Sequence, residues 1–149
     1  MVTKHLIDAR RLLPFCLSTL LVASSTNAEP SVATNVIQFE TRTSNDAGVV
    51  RCALFKEKGW LKDAFRAATV KSSGKRALCV FKEVPAGTYG LSAFHDEDSD
   101  GKLDTNIVGY PLEEYCASNN ARNLMSAPSW SDAKFVYRGG TRRLRAFMK

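Results

Sequence analysis

An all-β sandwich or barrel is the fold class this sequence predicts, on three observations. Short runs rich in β-branched and aromatic residues recur at regular spacing. Gly- and Pro-containing turns separate them. Several of the runs are almost continuously apolar, as strands in the middle of a sheet are, whereas the C-terminal run alternates as an edge strand does.

The elements follow in chain order. Residues 1–28 read as an export signal: Lys4, Arg10 and Arg11 give a basic start, Leu12 to Ala23 an apolar core too short to span a bilayer, and Thr26-Asn27-Ala28 a cleavage site ending in a small residue. No cysteine stands immediately after the predicted cut, so no lipid anchor is expected. Residues 29–149 are then one domain, periplasmic or secreted, in which no later segment is apolar enough to cross a membrane. Val36 to Arg42 predicts a first strand, Ser44 to Gly48 a turn, and Val49 to Phe55 a strongly apolar second strand. Trp60 to Ala68 is a longer excursion with room for one helical turn that places Leu61, Ala64 and Phe65 on one face. Lys75 to Val84 predicts a third strand, Pro85-Ala86-Gly87 a tight turn, and Thr88 to Phe94 the strand that leads into an acidic loop. Residues 95–132 show little regular pattern. Ala133 to Arg138, Gly139-Gly140 and Thr141 to Met148 predict a closing hairpin, with Leu144, Ala146 and Met148 inward and Arg143 and Arg145 outward.

Charge and cysteines bound the function. The chain carries 21 Lys and Arg against 15 Asp and Glu, and loss of residues 1–28 leaves about +4. The basic residues gather near the C-terminus, at Arg138, Arg142, Arg143, Arg145 and Lys149. Such a cluster suits anionic envelope polymers, and it equally suits the outward face of an edge strand that resists pairing with other chains. There is no nucleic-acid recognition pattern. Cys16 leaves with the signal, so Cys52, Cys79 and Cys116 remain. Cys52 and Cys79 lie in apolar strands and an oxidising compartment favours a bridge between them; each also fits a buried thiol. Cys116, in a polar loop, is left over.

The run His95-Asp96-Glu97-Asp98-Ser99-Asp100-Gly101-Lys102-Leu103-Asp104 puts acids at loop positions 1, 3, 5 and 9 and glycine at position 6, most of the oxygen-ligand spacing of a calcium loop. Clustered carboxylates repel one another, and a hard divalent cation removes that repulsion. Asp96, Asp98, Asp100, the Lys102 carbonyl and Asp104 are the expected ligands of Ca²⁺. Position 12 is Ile107 where an EF-hand has a bidentate glutamate, so a further ligand must be water or a distant carboxylate such as Glu113 or Glu114. The same residues also make an ordinary solvated turn. For catalysis, His95 beside Asp96 and Glu97 is a candidate general base of a hydrolase, although no nucleophile or oxyanion hole stands out. It fits equally a strand-end histidine bonded to the loop. Tyr110, Tyr115, Asn119, Asn120 and Trp130, with His95, are candidate partner-binding residues, and the Asn119-Asn120 pair also fits simple turn chemistry.

One ordered series carries a resemblance: Val84-Pro85-Ala86-Gly87-Thr88-Tyr89, His95-Asp96-Glu97, Asp100-Gly101-Lys102-Leu103-Asp104-Thr105-Asn106, Gly109-Tyr110-Pro111-Leu112-Glu113, Tyr115, Ser118-Asn119-Asn120-Ala121, and Pro128-Ser129-Trp130-Ser131-Asp132-Ala133-Lys134-Phe135. It resembles a family of secreted bacterial proteins known as domain of unknown function 2141, over nearly all of the chain after the signal. The resemblance implies a small exported β-sandwich of transthyretin or carboxypeptidase-regulatory type, and no established activity. Cys116 and Ala117 depart from the family's pattern, which has Gly and Phe there. Taken together, the expectation is a single Ig-like or transthyretin-like β-sandwich of about seven antiparallel strands with one long irregular loop. As a monomer, it would act as a calcium-stabilised binding or structural module whose partner is an envelope protein or glycan.

Overall fold

Alternation of side chains across a pleated backbone builds the core. In the strand Arg76–Phe81 the odd-numbered residues Ala77, Cys79 and Phe81 are buried and the even-numbered ones exposed; in Val36–Arg42 it is Ile37, Phe39 and Thr41 that are buried. The computed structural model describes residues 35–123 and 126–149; the predicted export signal lies outside the described residues. Eight strands form: β1 Val36–Arg42, β2 Val49–Phe55, β3 Arg66–Val70, β4 Arg76–Phe81, β5 Gly87–Asp96, β6 Tyr115–Ala117, β7 Phe135–Tyr137 and β8 Thr141–Phe147. One sheet has the order β4-β1-β8 and the other β3-β2-β5-β6, with β7 pairing the opposite end of β5. The sheets close over one core that includes Ile37, Phe39, Val50, Leu54, Leu91 and Tyr137. A disulfide between Cys52 on β2 and Cys79 on β4 joins the two sheets. Cys116 is a free, buried thiol.

The chain departs from the sequence expectation in three places. Trp60 to Ala68 is not a helical excursion: one turn of 3₁₀ helix spans Glu57–Gly59, and Arg66–Val70 is a strand along the edge of β2. The described residues of 95–132 hold more regular structure than their composition suggests, because β5 runs on to Asp96, β6 pairs Ser92 to Phe94, and a second 3₁₀ turn (Ser118–Asn120) and a short helix α1 (Trp130–Ala133) follow. The last two strands do not form a hairpin. β7 pairs with β5, whereas β8 lies parallel to β1 in the other sheet. Gly139 and Gly140 both take positive φ (97° and 73°), which lets the chain cross between sheets. Asn35 holds that crossing: its Oδ1 accepts from Gly140 N at 3.1 Å, while Val36 N donates to the Gly140 carbonyl at 2.9 Å. The inward set Ala146 and Met148 is buried and Leu144 packs against the core, with Arg143 and Arg145 outside, as the alternation predicts.

Candidate metal centre

β5 delivers two polar residues to its end, on opposite faces. Residues 89, 91 and 93 of β5 face the core, so His95 does too, and Asp96 emerges on the outer face. Both are fully buried, because the segments on either side fold over them. Arg51 pairs with Phe94 across the β2–β5 ladder and therefore shares the outer face with Asp96. Its Nε donates to Asp96 Oδ2, and Gly101 N donates to the same oxygen at 3.1 Å. The other oxygen, Asp96 Oδ1, is buried with no hydrogen-bond partner. Burial raises the pKa of this carboxyl, but the Arg51 hydrogen bond and charge with the Gly101 amide outweigh burial and hold it below the ordinary value.

The loop then turns back on itself. Ser99 and Gly101 take φ of 64° and 90°, and a Cβ on Gly101 would stand 3.3 Å from the Arg51 guanidinium. Asp98 Oδ1 accepts from Asp100 N at 3.0 Å, and Asp100 Oδ1 accepts from Lys102 N at 2.7 Å, successive turns of the type Asp makes with its own backbone. Across the loop, Glu113 Oε1 accepts from Glu97 N at 3.0 Å and Oε2 from Asp104 N at 3.2 Å. One oxygen each from Asp96, Asp98 and Glu113 lie within 4.8 Å of one another. Of the six expected ligands the fold thus brings together three: Asp96, Asp98 and the distant Glu113. The Asp100 and Asp104 carboxylates are outside that trio, and Lys102 enters the geometry through its backbone N–H. Three converging carboxylate oxygens with water completing the shell suit a hard cation that takes oxygen ligands.

His95 serves a different purpose. Its Nε2 donates to the Ala47 carbonyl at 2.7 Å, fixing the turn between β1 and β2, and its Nδ1 faces Glu97 and Glu114 carboxylates at 3.6 Å each. Glu114 in turn accepts from Ser44 N at 2.9 Å. A general base must reach the proton it removes; the His95 ring is sealed from solvent. The turn it holds cannot take a side chain at Gly48, whose φ is 56° and whose Cβ would stand 2.0 Å from the Asp96 carbonyl.

The remaining candidates fall into two groups. Asn119 donates through Nδ2 to the Asp132 and Lys134 carbonyls, and Asn120 Oδ1 accepts from Phe147 N, so both amides are committed to the backbone. Trp130 packs edge-on against Trp60, and both rings cover Gly90, where a Cβ would stand 2.6 Å from Trp60. Tyr115 sits in β6 beneath Arg122. Tyr110 is exposed. Tyr110 and Tyr115 also line a cavity of about 370 Å³ on the outer face of β5, bordered as well by Leu103 and Thr105. The Cys116 sulfur points into the core instead, 3.4 Å from Thr41 Oγ1, where burial pushes its thiol up to about 11. Arg51 and Ser118 are the residues that sequence reasoning missed. A charged residue inside the apolar run Val49-Val50-Arg51-Cys52-Ala53-Leu54-Phe55 was the available signal for Arg51; Ser118 left none.

Comparison with known proteins gives a family. A profile described as "Uncharacterized protein conserved in bacteria (DUF2141)" matches residues 41–145. No curated protein and no solved structure matches the chain.

Proposed function

The chain belongs to this uncharacterized bacterial family, and for it we propose an exported calcium-stabilised β-sandwich, of the transthyretin or carboxypeptidase-regulatory kind, that acts as a binding module of the cell envelope. The observation that carries the reading is Asp96 Oδ1. A buried carboxylate oxygen without a partner is rare and costly, and an ion is one of the few things that accounts for it. One oxygen of the same carboxylate lies within 4.8 Å of one oxygen each from Asp98 and Glu113. Arg51 occupies Oδ2 and leaves Oδ1 for the ion. Export is supported by the pattern of residues 1–28 and by the Cys52–Cys79 disulfide, which suits an oxidising compartment. Among the described residues no helix is long and apolar enough to cross a membrane.

The test is a thermal melt with millimolar calcium, with magnesium, and with a chelator. An affinity on the order of 10⁻⁴–10⁻³ M is expected with so few fixed ligands, which gives a calcium-specific rise in Tm of roughly 5 °C. Asp98→Asn keeps the side-chain oxygen that accepts from Asp100 N, removes the charge, and should abolish the rise. Identical melts under all three conditions would reduce the loop to a solvated turn.

A further inference from the structure

Exposed large apolar side chains are few among the described residues, and four of them stand in one six-residue stretch: Ile107 (105% exposed), Val108 (81%), Tyr110 (60%) and Leu112 (68%). The stretch is a built hairpin. Thr105 and Pro111 form an antiparallel bridge, Leu112 N donates to the Asp104 carbonyl at 2.8 Å, and Asn106 N to the Tyr110 carbonyl at 2.9 Å. Asn106 Oδ1 holds the tip, accepting from Val108 N and Tyr110 N at 3.0 and 2.9 Å. No residue from Thr105 to Leu112 is charged. The residues that bracket this run are Asp104 and Glu113, joined by the hydrogen bond from Asp104 N to Glu113 Oε2. The apolar run thus ends beside Glu113, one of the three carboxylates of the candidate cation site.

We propose that this hairpin is a calcium-gated membrane wedge, which inserts Ile107, Val108 and Leu112 into an anionic phospholipid surface. The inference rests on the cation site proposed above and names its partner. Three features favour lipid over the groove of another protein. The tip is exposed and wholly uncharged, and it carries Tyr110, the side chain that settles at a membrane–water boundary. Two to three residues per arm reach about 7–10 Å, the depth to which interfacial segments bury, roughly 5–10 Å. The bracketing carboxylates of Asp98, Asp104 and Glu113 repel lipid phosphates while the site is empty; a bound cation removes that repulsion and offers open coordination positions to a phosphate oxygen. The wall behind the tip adds to the fit. Leu103, with Val108 and Pro111 of the hairpin, lines the 370 Å³ cavity together with Phe94 and Tyr115, and no lining side chain among the described residues is charged.

The experiment is co-sedimentation of the folded, signal-free protein with vesicles of phosphatidylglycerol and phosphatidylethanolamine, and with phosphatidylcholine vesicles, each with millimolar calcium or a chelator. Binding is expected for the anionic vesicles with calcium alone. The double variant Ile107→Ser, Val108→Ser removes only exposed side chains and should bind at least roughly tenfold more weakly, since each buried apolar side chain contributes about that factor or more. Its calcium-dependent rise in Tm should be unchanged. A calcium-dependent Tm rise with no vesicle binding overturns the wedge and leaves the cation site standing. Equal vesicle binding with calcium and chelator overturns the gating, as does full binding by the double variant for the insertion. Loss of both the Tm shift and the binding overturns both readings.

Discussion

At the scale of single residues, the side chains that matter most bind backbone. Asp46 shows the pattern outside the acidic loop: Oδ1 accepts from Lys75 N and Ser72 Oγ, both at 2.8 Å, and Oδ2 from Gly74 N at 3.1 Å, tying the β1–β2 turn to the β3–β4 turn. The Lys75 amide first, then the Ser72 hydroxyl, hold its pKa below the ordinary carboxylate value. A depressed folded pKa means stability that is complete above the unfolded value, about 4, and lost as pH falls through the lower folded value. Asp46→Asn should therefore be less stable than the native protein at pH 7, with the gap closing as pH drops below about 4; urea titrations at several pH values read this directly. A gap constant with pH would mean that the hydrogen-bond geometry, and not the charge, is what Asp46 contributes. The clustering of carboxylates was legible at this scale because Asp96, Asp98, Asp100 and Asp104 are close in sequence. Their hydrogen-bond assignments were not, since Arg51, 45 residues from Asp96, and Gly101, 5 residues from it, donate to the same oxygen.

At the scale of elements, Ser118 is the joint that orders the long segment after the hairpin. Buried between β5 and α1, its hydroxyl accepts from Leu91 N at 2.9 Å and donates to the Ala133 carbonyl at 2.6 Å. Ser118→Ala leaves one buried donor and one buried acceptor without partners and should cost about 1–3 kcal/mol, measured as a lower urea midpoint at unchanged m-value. An effect within a few tenths of a kcal/mol would show that water replaces the hydroxyl. This segment looked irregular in the sequence because its strand β6 is three residues long and its helix four, too short to display a period. The last two strands failed for a different reason. Gly139-Gly140 between two apolar runs is a sound hairpin signal, yet a glycine pair serves equally well to send a chain across a sandwich. Which it does here is decided by the free edges of β1 and β5, and a local motif carries no information about those.

At the scale of the whole molecule, two sheets close on one apolar core and one covalent link spans them. Cys52 and Cys79 are 27 residues apart, and closing that loop in the unfolded chain contributes about 3–4 kcal/mol by the chain-entropy model. Replacing both by Ala should lower stability by roughly 2–4 kcal/mol, measured by denaturant unfolding against the oxidised native protein. A loss under about 1 kcal/mol would mean the reduced unfolded chain is already compact. Legible in the sequence alone were the fold class, the inward and outward faces of the strands, and the carboxylate spacing from Asp96 to Asp104, while the Cys52–Cys79 bridge was one of two readings there and is formed in the structure. Each of those follows from neighbours one to a few residues apart or from the burial of apolar side chains. Only the tertiary structure decided that β8 runs parallel to β1, that His95 turns inward while Asp96 turns outward, and that Arg51 and Glu113 complete the cluster. Those outcomes depend on which strand edges meet and in what register, and register is set by the joint burial of residues far apart in the chain.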